Sequence, residues 1–310
     1  MAEKGAGTAG NTRLITVLCL AVTLFALAAG ISLSVKNSTL AVQKEELVSE
    51  RDRLAEEKKQ TEAVLEQLTQ EKADWERMKE LAEESKAHFF ELAGQLEQKV
   101  KNDELDVKIA YLTFDDGPYI NTTPSFLDVL DQYGVLATFF QRGRSWDNDW
   151  DMYKDIFLRI KKSGHTLANH TWSHGIKTGL YSSTSRFIEE VLKQRQFIEE
   201  HLGVTSTVMR FPGGSSQARG LKQPIIEELR KLGYGYVDWD TSTGDGKLVL
   251  PPDQFRDNVL NDTGNRSFLV VLMHDYSENT CKALPEIIEG LQKQGYIFLP
   301  LWHDSVKVMK

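Results

Sequence analysis

The chain has 310 residues, 41% of them hydrophobic and 26% charged, a composition of folded rather than disordered protein. A formal net charge of -8, from 37 basic and 45 acidic side chains, excludes broad electrostatic affinity for nucleic acid. Two cysteines, Cys19 and Cys281, exclude a disulfide-rich scaffold.

Residues 1–13 form a short tail carrying Lys4 and Arg13. Residues 14–35, LITVLCLAVTLFALAAGISLSV, contain no charge. As a helix the run spans about 33 Å, the thickness of a bilayer's hydrocarbon core. Ala26-Leu27-Ala28 resembles a small-x-small cleavage site, but the apolar run continues through Ile31, Leu33 and Val35, beyond the usual signal core. The expectation is an uncleaved, single-pass signal anchor in the cell membrane. Its basic tail stays in the cytoplasm and the rest of the chain lies outside. Cys19 falls inside the run, so Cys281 is left without a partner and reads as buried filler.

Residues 36–106 read as a helical stalk. Positions 36–108 carry 13 basic and 19 acidic side chains, no proline, and Gly94 as the single glycine. At positions 40, 47, 54, 61, 68, 75, 82, 89 and 96 stand Leu, Leu, Leu, Thr, Leu, Trp, Ala, Phe and Leu, a period of seven. That predicts a long helix with coiled-coil character. The second seam is poor, with Gln43, Glu50, Glu57 and Glu71. The stalk could therefore pair with itself as a homodimer, lie along the following domain, or act as a spacer.

From residue 107 to 310 strand and helix patterns alternate. Strands are predicted at 107–114, 135–140, 165–170, 206–211, 235–238, 268–274 and 296–300. Helices are predicted at 123–133, 149–162, 184–201, 222–231, 253–260 and 282–294. About seven β/α units of this kind argue for parallel strands covered by helices. Periodicity alone leaves a doubly wound sheet and a barrel both open. Ionisable residues follow the strands: Asp115 and Asp116 the first, His170 and His174 the third, Arg210 the fourth, Asp238 and Asp240 the fifth, His274 the sixth. In parallel α/β folds the strand C-terminal ends carry the chemistry.

His170-Thr171-Trp172-Ser173-His174 places two imidazoles four apart, which share a face on a helix or tight turn. With Asp116 they make a donor set suited to a catalytic zinc, or to iron, manganese or cobalt. Histidines satisfied by ordinary hydrogen bonds are the competing reading.

The motifs taken together resemble the polysaccharide deacetylase family (carbohydrate esterase family 4, the NodB homology domain). Thr113-Phe114-Asp115-Asp116-Gly117-Pro118 is similar to its first signature and His170–His174 to its second. Arg210-Phe211-Pro212-Gly213 is similar to the third, Trp239 through Asp245 to the fourth, and Leu272-Met273-His274 to the fifth. The resemblance covers about residues 107–301 and implies a distorted (β/α)7 barrel. It further implies that Asp116, His170 and His174 hold one divalent metal ion, Zn2+ first, with Co2+, Mn2+ or Fe2+ as alternatives. Asp115 would be the general base and Arg210 the residue pairing with it. The backbone N–H of Gly213 would stabilise the oxyanion. His274 would be the general acid, oriented by Asp245. The implied reaction releases acetate and a free amino sugar from an N-acetylated glycan.

Two positions depart from the family pattern. Gly213 replaces a tyrosine, and Gly246 follows Asp245 where many relatives have tryptophan. The groove is then wider, or lined by other aromatics such as Trp146, Trp150, Trp172, Tyr181 or Trp239. Asp238 and Asp240 read as structural, and His88, His165, His201 and His303 as ordinary residues. A hydrolase on a membrane-anchored stalk points to a fixed polymer nearby, peptidoglycan first. Chitin, poly-N-acetylglucosamine oligomers and O-acetylated polysaccharides are alternatives. A non-catalytic surface scaffold would require a missing base or ligand, and none is missing.

Overall fold

The computed structural model describes residues 40–143 and 149–310. The expected anchor at 14–35 and the candidate aromatic Trp146 lie outside the described residues. Among the described residues, no helix is long and apolar enough to cross a membrane.

The chain divides into two compact units, Met1–Phe89 and Phe90–Lys310. In the first, helix α1 (Leu40–Lys101) begins. Its surface is stitched by exposed pairs one turn apart, such as Arg53 to Glu57 at 3.0 Å and Gln67 to Glu71 at 3.0 Å. Leu65 and Leu81 stand exposed along it.

The second unit starts with the final turns of α1, earlier than the expected boundary at residue 107. Ala93, Glu97 and Val100 are buried there, spaced along one helix face. Phe90 lies 5.5 Å from the Trp302 ring. The two oxygens of Glu97 accept bonds from Tyr111 Oη at 2.5 Å and from the Val306 N–H at 2.7 Å. Burial raises the pKa of both Glu97 and Tyr111.

The remaining elements are β1 (Lys108–Asp115), α2 (Thr123–Tyr133), β2 (Thr138–Gln141), α3 (Trp150–Lys162), β3 (Thr166–Asn169), α4 (Thr184–Leu202), β4 (Val208–Met209), α5 (Lys222–Lys231), β5 (Gly235–Tyr236), β6 (Thr241–Ser242), α6 (Pro252–Leu260), β7 (Phe268–His274), α7 (Glu278–Lys293) and β8 (Tyr296–Phe298). Helix limits follow local chemistry. Pro124 sits in the first turn of α2, and Gly134 in left-handed backbone ends it. Ser183 caps α4 by accepting the Arg186 N–H.

All strands pair in parallel, in the order β5-β4-β3-β2-β1-β7-β6. β8 shares an edge of β1 with β2: β2 pairs Thr113–Asp115, and β8 pairs Lys108–Ala110. The sheet is an open half-barrel of eight strands rather than seven, ending at β5 and β6. The added strand is β6. It has two residues, sits just after Asp238 and Asp240, and shows no apolar run, so its sequence carries no strand signal. The C-terminal tail covers the β5 edge, with Tyr236 and Met309 exchanging backbone bonds at 2.9 and 2.8 Å.

The core lies between sheet and helices. Phe114, Phe126, Phe139 and Phe157 are fully buried, with Ile287, Ile288 and Leu291 of α7. β1 is central and buried from Ile109 to Asp115. Its C-terminal end therefore reaches the sheet rim as a rigid platform.

Candidate active site

The strand ends open onto a cavity of about 370 Å3. Asp115, Asp116, His170, His174, Gly213, Asp245 and His274 all line it, together with Trp239, Leu272, Lys247 and Tyr276.

Asp115 and His274 are register partners at the ends of β1 and β7. Asp115 is buried, and its Oδ1 accepts from Arg210 Nη1 at 2.8 Å. Arg210 is wholly buried. Its guanidinium also donates to Thr113 Oγ1 at 2.8 Å, to the Val237 carbonyl at 3.2 Å and to the Asp238 carbonyl at 3.3 Å. It lies 4.3 Å from the centre of the Phe140 ring. A buried charge so fully bonded can hold its carboxylate in one orientation.

Asp116 leaves the strand with φ of +75°, a left-handed conformation that L-residues rarely adopt. Its carboxylate thereby turns toward the histidines: Oδ1 is 3.9 Å from His170 Nε2 and 3.7 Å from His174 Nε2. The His pair sits on a tight loop, not a helix. Thr171 and His174 also have positive φ, of 65° and 51°. Asn169 Oδ1 accepts the Thr171 N–H at 2.8 Å, and Thr171 Oγ1 accepts the His174 N–H at 3.2 Å. Glu190 of α4 accepts the Ser173 N–H at 2.6 Å.

A divalent metal fits these residues. The three donor atoms lie within 4.8 Å of one another. Asp116 Oδ1 is buried and accepts no hydrogen bond among the described residues, an arrangement that is costly unless a cation satisfies it. His170 Nδ1 donates to the Arg210 carbonyl at 2.8 Å, which leaves the Nε2 lone pair to ligate, 3.5 Å from Asp115 Oδ2 and 3.9 Å from Asp116 Oδ1. Burial and the neighbouring His170 lower the His174 pKa to about 4, so its imidazole is neutral and able to ligate. Burial works against charge on Asp116, but His170, His174, Arg142 and His274 bring its pKa below the ordinary value.

On the other side of the cavity, His274 Nδ1 meets Asp245 Oδ1 at 2.8 Å. Asp245 Oδ2 accepts from the His274 N–H at 2.9 Å and from Thr280 Oγ1 at 2.7 Å. Burial disfavours the imidazolium, but the Asp245 bond and the charges of Asp115, Asp245 and Asp116 outweigh it and raise the His274 pKa. With Nδ1 engaged, Nε2 is the atom left for chemistry. Gly213 has φ of +71°, and its N–H finds no acceptor among the described residues.

The two family departures do not simply widen the groove. A Cβ on Gly246 would lie 2.8 Å from His274 Cε1, so glycine there lets the loop press on the imidazole. A Cβ on Gly213 would lie 3.1 Å from Gln217 Cγ and 3.2 Å from Ile176 Cδ1. Of the described aromatic candidates, Trp239 lines the cavity. Trp150 and Trp172 pack on Phe197, and Tyr181 donates to the Pro212 carbonyl at 2.8 Å. Asp238 holds Ser215, and Asp240 holds Lys307 and the Val270 N–H.

Three residues escaped the sequence reading. Tyr276 lies 5.1 Å from the His274 ring and donates to the Asp245 carbonyl at 3.3 Å. Arg142 donates to the Asp116 carbonyl at 3.2 Å and to Tyr119 Oη at 3.0 Å. Asp275 is fully buried beneath Gly117 and accepts from Thr123 Oγ1 at 2.5 Å. Burial pushes its pKa up to about 7. All three follow strand ends, Arg142 after β2 and Asp275 and Tyr276 after β7, which was the visible signal.

The profile of the polysaccharide deacetylase family matches residues 102–237. The chain is 29% identical over 213 residues to a peptidoglycan-N-acetylglucosamine deacetylase of Bacillus cereus, covering 64% of this chain and 74% of that protein. It is 32% identical over 197 residues to a chitin deacetylase of Colletotrichum lindemuthianum, covering 60% and 74% respectively. A crystal structure of the catalytic domain of a peptidoglycan N-acetylglucosamine deacetylase from Eubacterium rectale aligns with a TM-score of 0.59 at 34% identity. That alignment covers 66% of this chain and 92% of that one.

Proposed function

This chain belongs to the polysaccharide deacetylase family and is a hydrolase of that class, and from that premise we propose that it removes the N-acetyl group from N-acetylglucosamine residues of peptidoglycan. The observation that carries the reading is the pairing of two polar dyads at one rim. Asp115–Arg210 and His274–Asp245 stand at partnered strand ends around Asp116, His170 and His174. The peptidoglycan assignment draws on the activities named for the Bacillus and Eubacterium relatives. Chitin oligomers are the second reading, favoured by the Colletotrichum relative.

Asp116, His170 and His174 would hold the metal, Zn2+ first among the divalent ions, since two imidazoles and one carboxylate are one of its catalytic ligand sets. Bound there, the ion would supply Lewis acidity, lowering the pKa of a water and polarising the acetyl carbonyl. Asp115 takes the proton from the water as it attacks the carbonyl carbon, with Arg210 fixing Oδ1 and leaving Oδ2 for the proton. The Gly213 N–H donates to the oxygen on which negative charge develops. As the C–N bond breaks, His274 Nε2 gives its proton to the departing amine. Asp245 keeps that imidazole charged and correctly turned. Acetate and a free amino sugar result. An amide needs both partners, because its amine leaves only when protonated.

The expected setting is the outer face of the cell membrane, with residues 14–35 as a single-pass anchor and the helical stalk as a spacer able to pair with a second copy. The direct test of the ligand set is His174→Ala. It should lose bound metal in elemental analysis along with acetate release, and a variant retaining stoichiometric metal would contradict the assignment.

A further inference from the structure

The cavity's charges balance internally except for one. Asp115 is matched by Arg210, Asp245 by His274, and Asp116 by Arg142, 3.9 Å away. Lys247 lines the same cavity, is exposed, and makes no ion pair among the described residues. Its backbone is fixed. The N–H groups of Lys247 and Leu248 both donate to the Gly244 carbonyl, at 3.2 and 3.1 Å. The preceding Gly246 abuts the His274 ring. Lys247 therefore stands on the side from which the amine departs.

We infer that Lys247 binds a carboxylate of the glycan beside the acetamide being cleaved, so that an N-acetylated glycan carrying carboxylates is preferred over a neutral one. The inference rests on the deacetylase reading above. With those pairs closed on one another, Lys247 is the cation on the cavity wall left to meet a substrate carboxylate. In peptidoglycan the carboxylate has two sources: the lactyl group of the muramic acid, free where the peptide has been removed, and the stem peptide itself.

The test compares the metal-loaded full chain with K247Q, K247E and K247R on three substrates. These are glycan strands stripped of peptides, intact peptidoglycan strands, and neutral chitin oligomers. An ion pair at such a rim is worth about two- to fivefold. K247Q should lower kcat/KM by about that factor on a carboxylate-bearing substrate, through KM, with K247E lower still and K247R restored. The difference should shrink with added salt, and the rate on chitin oligomers should not change. Whichever anionic substrate responds identifies the source of the carboxylate. Equal losses on all three substrates, or none on either anionic one, would overturn the inference and leave the deacetylase reading standing. Absence of acetate from every substrate with the wild-type chain would overturn both.

Discussion

Asp115 and Asp116 are neighbours in sequence but turn in different directions, because positive φ at Asp116 breaks the strand between them. One carboxylate meets Arg210 and the other the imidazoles. Asp115→Asn should lower turnover by about 10^2- to 10^4-fold while bound metal is retained, as read by steady-state rates and elemental analysis on the same sample. The His274 proton gives a pH signature. Its pKa lies above the ordinary imidazole value, so kcat/KM should fall as pH rises through it. Asp245→Asn removes a hydrogen bond and a negative charge, and should move the alkaline limb to lower pH. An unmoved limb would assign the acid elsewhere. Asp275 predicts a change in stability instead. Its folded pKa of about 7 exceeds the unfolded value, so its stabilising contribution is present below about pH 4 and is lost as pH rises through 7. Relative to Asp275→Asn, the wild type should therefore lose stability across that window in denaturant titrations. At this scale the motif residues were legible because each motif is contiguous or closely spaced. Arg142 and Tyr276 were not, since neither belongs to a motif, although each follows a strand end.

At the scale of elements, α2, α4 and α5 matched their sequence signals closely, because each has a sharp stop or cap. α7 begins four residues before its predicted start, at Glu278, where Ser277 caps it by accepting the Thr280 N–H. Pro285 lies inside the helix. β6 was missed for want of any apolar run. The largest gain concerns α1, whose last turns join the catalytic unit. Glu97 reads in sequence as one more stalk carboxylate, yet it is buried and bonded to Tyr111 and Val306. Glu97→Ala should cost about 1–3 kcal/mol by leaving buried donors unpaired, seen as a melting temperature several degrees lower. A fragment beginning at residue 105 should share that loss, whereas one beginning near residue 88 should not. Equal melting temperatures for the two fragments would contradict the role given to these turns.

For the molecule as a whole, the parallel β/α pattern and the rim of ionisable strand ends were readable before any coordinates. The family resemblance named a barrel, and the sheet is its open form, with β5 and β6 as its ends and the C-terminal tail covering β5. That closure depends on which edges pair at long range, a property no local pattern encodes. The central claim is that the two dyads and the histidine–aspartate cluster act as one hydrolytic site on an acetylated glycan. The most direct measurement is acetate release by the full chain from peptidoglycan strands and chitin oligomers, with zinc and with a chelator, beside Asp115→Asn. The account predicts release from peptidoglycan that the chelator abolishes, added zinc restores and the variant lacks. Undiminished release by Asp115→Asn, or none from either substrate by a wild-type chain with metal bound, would contradict it.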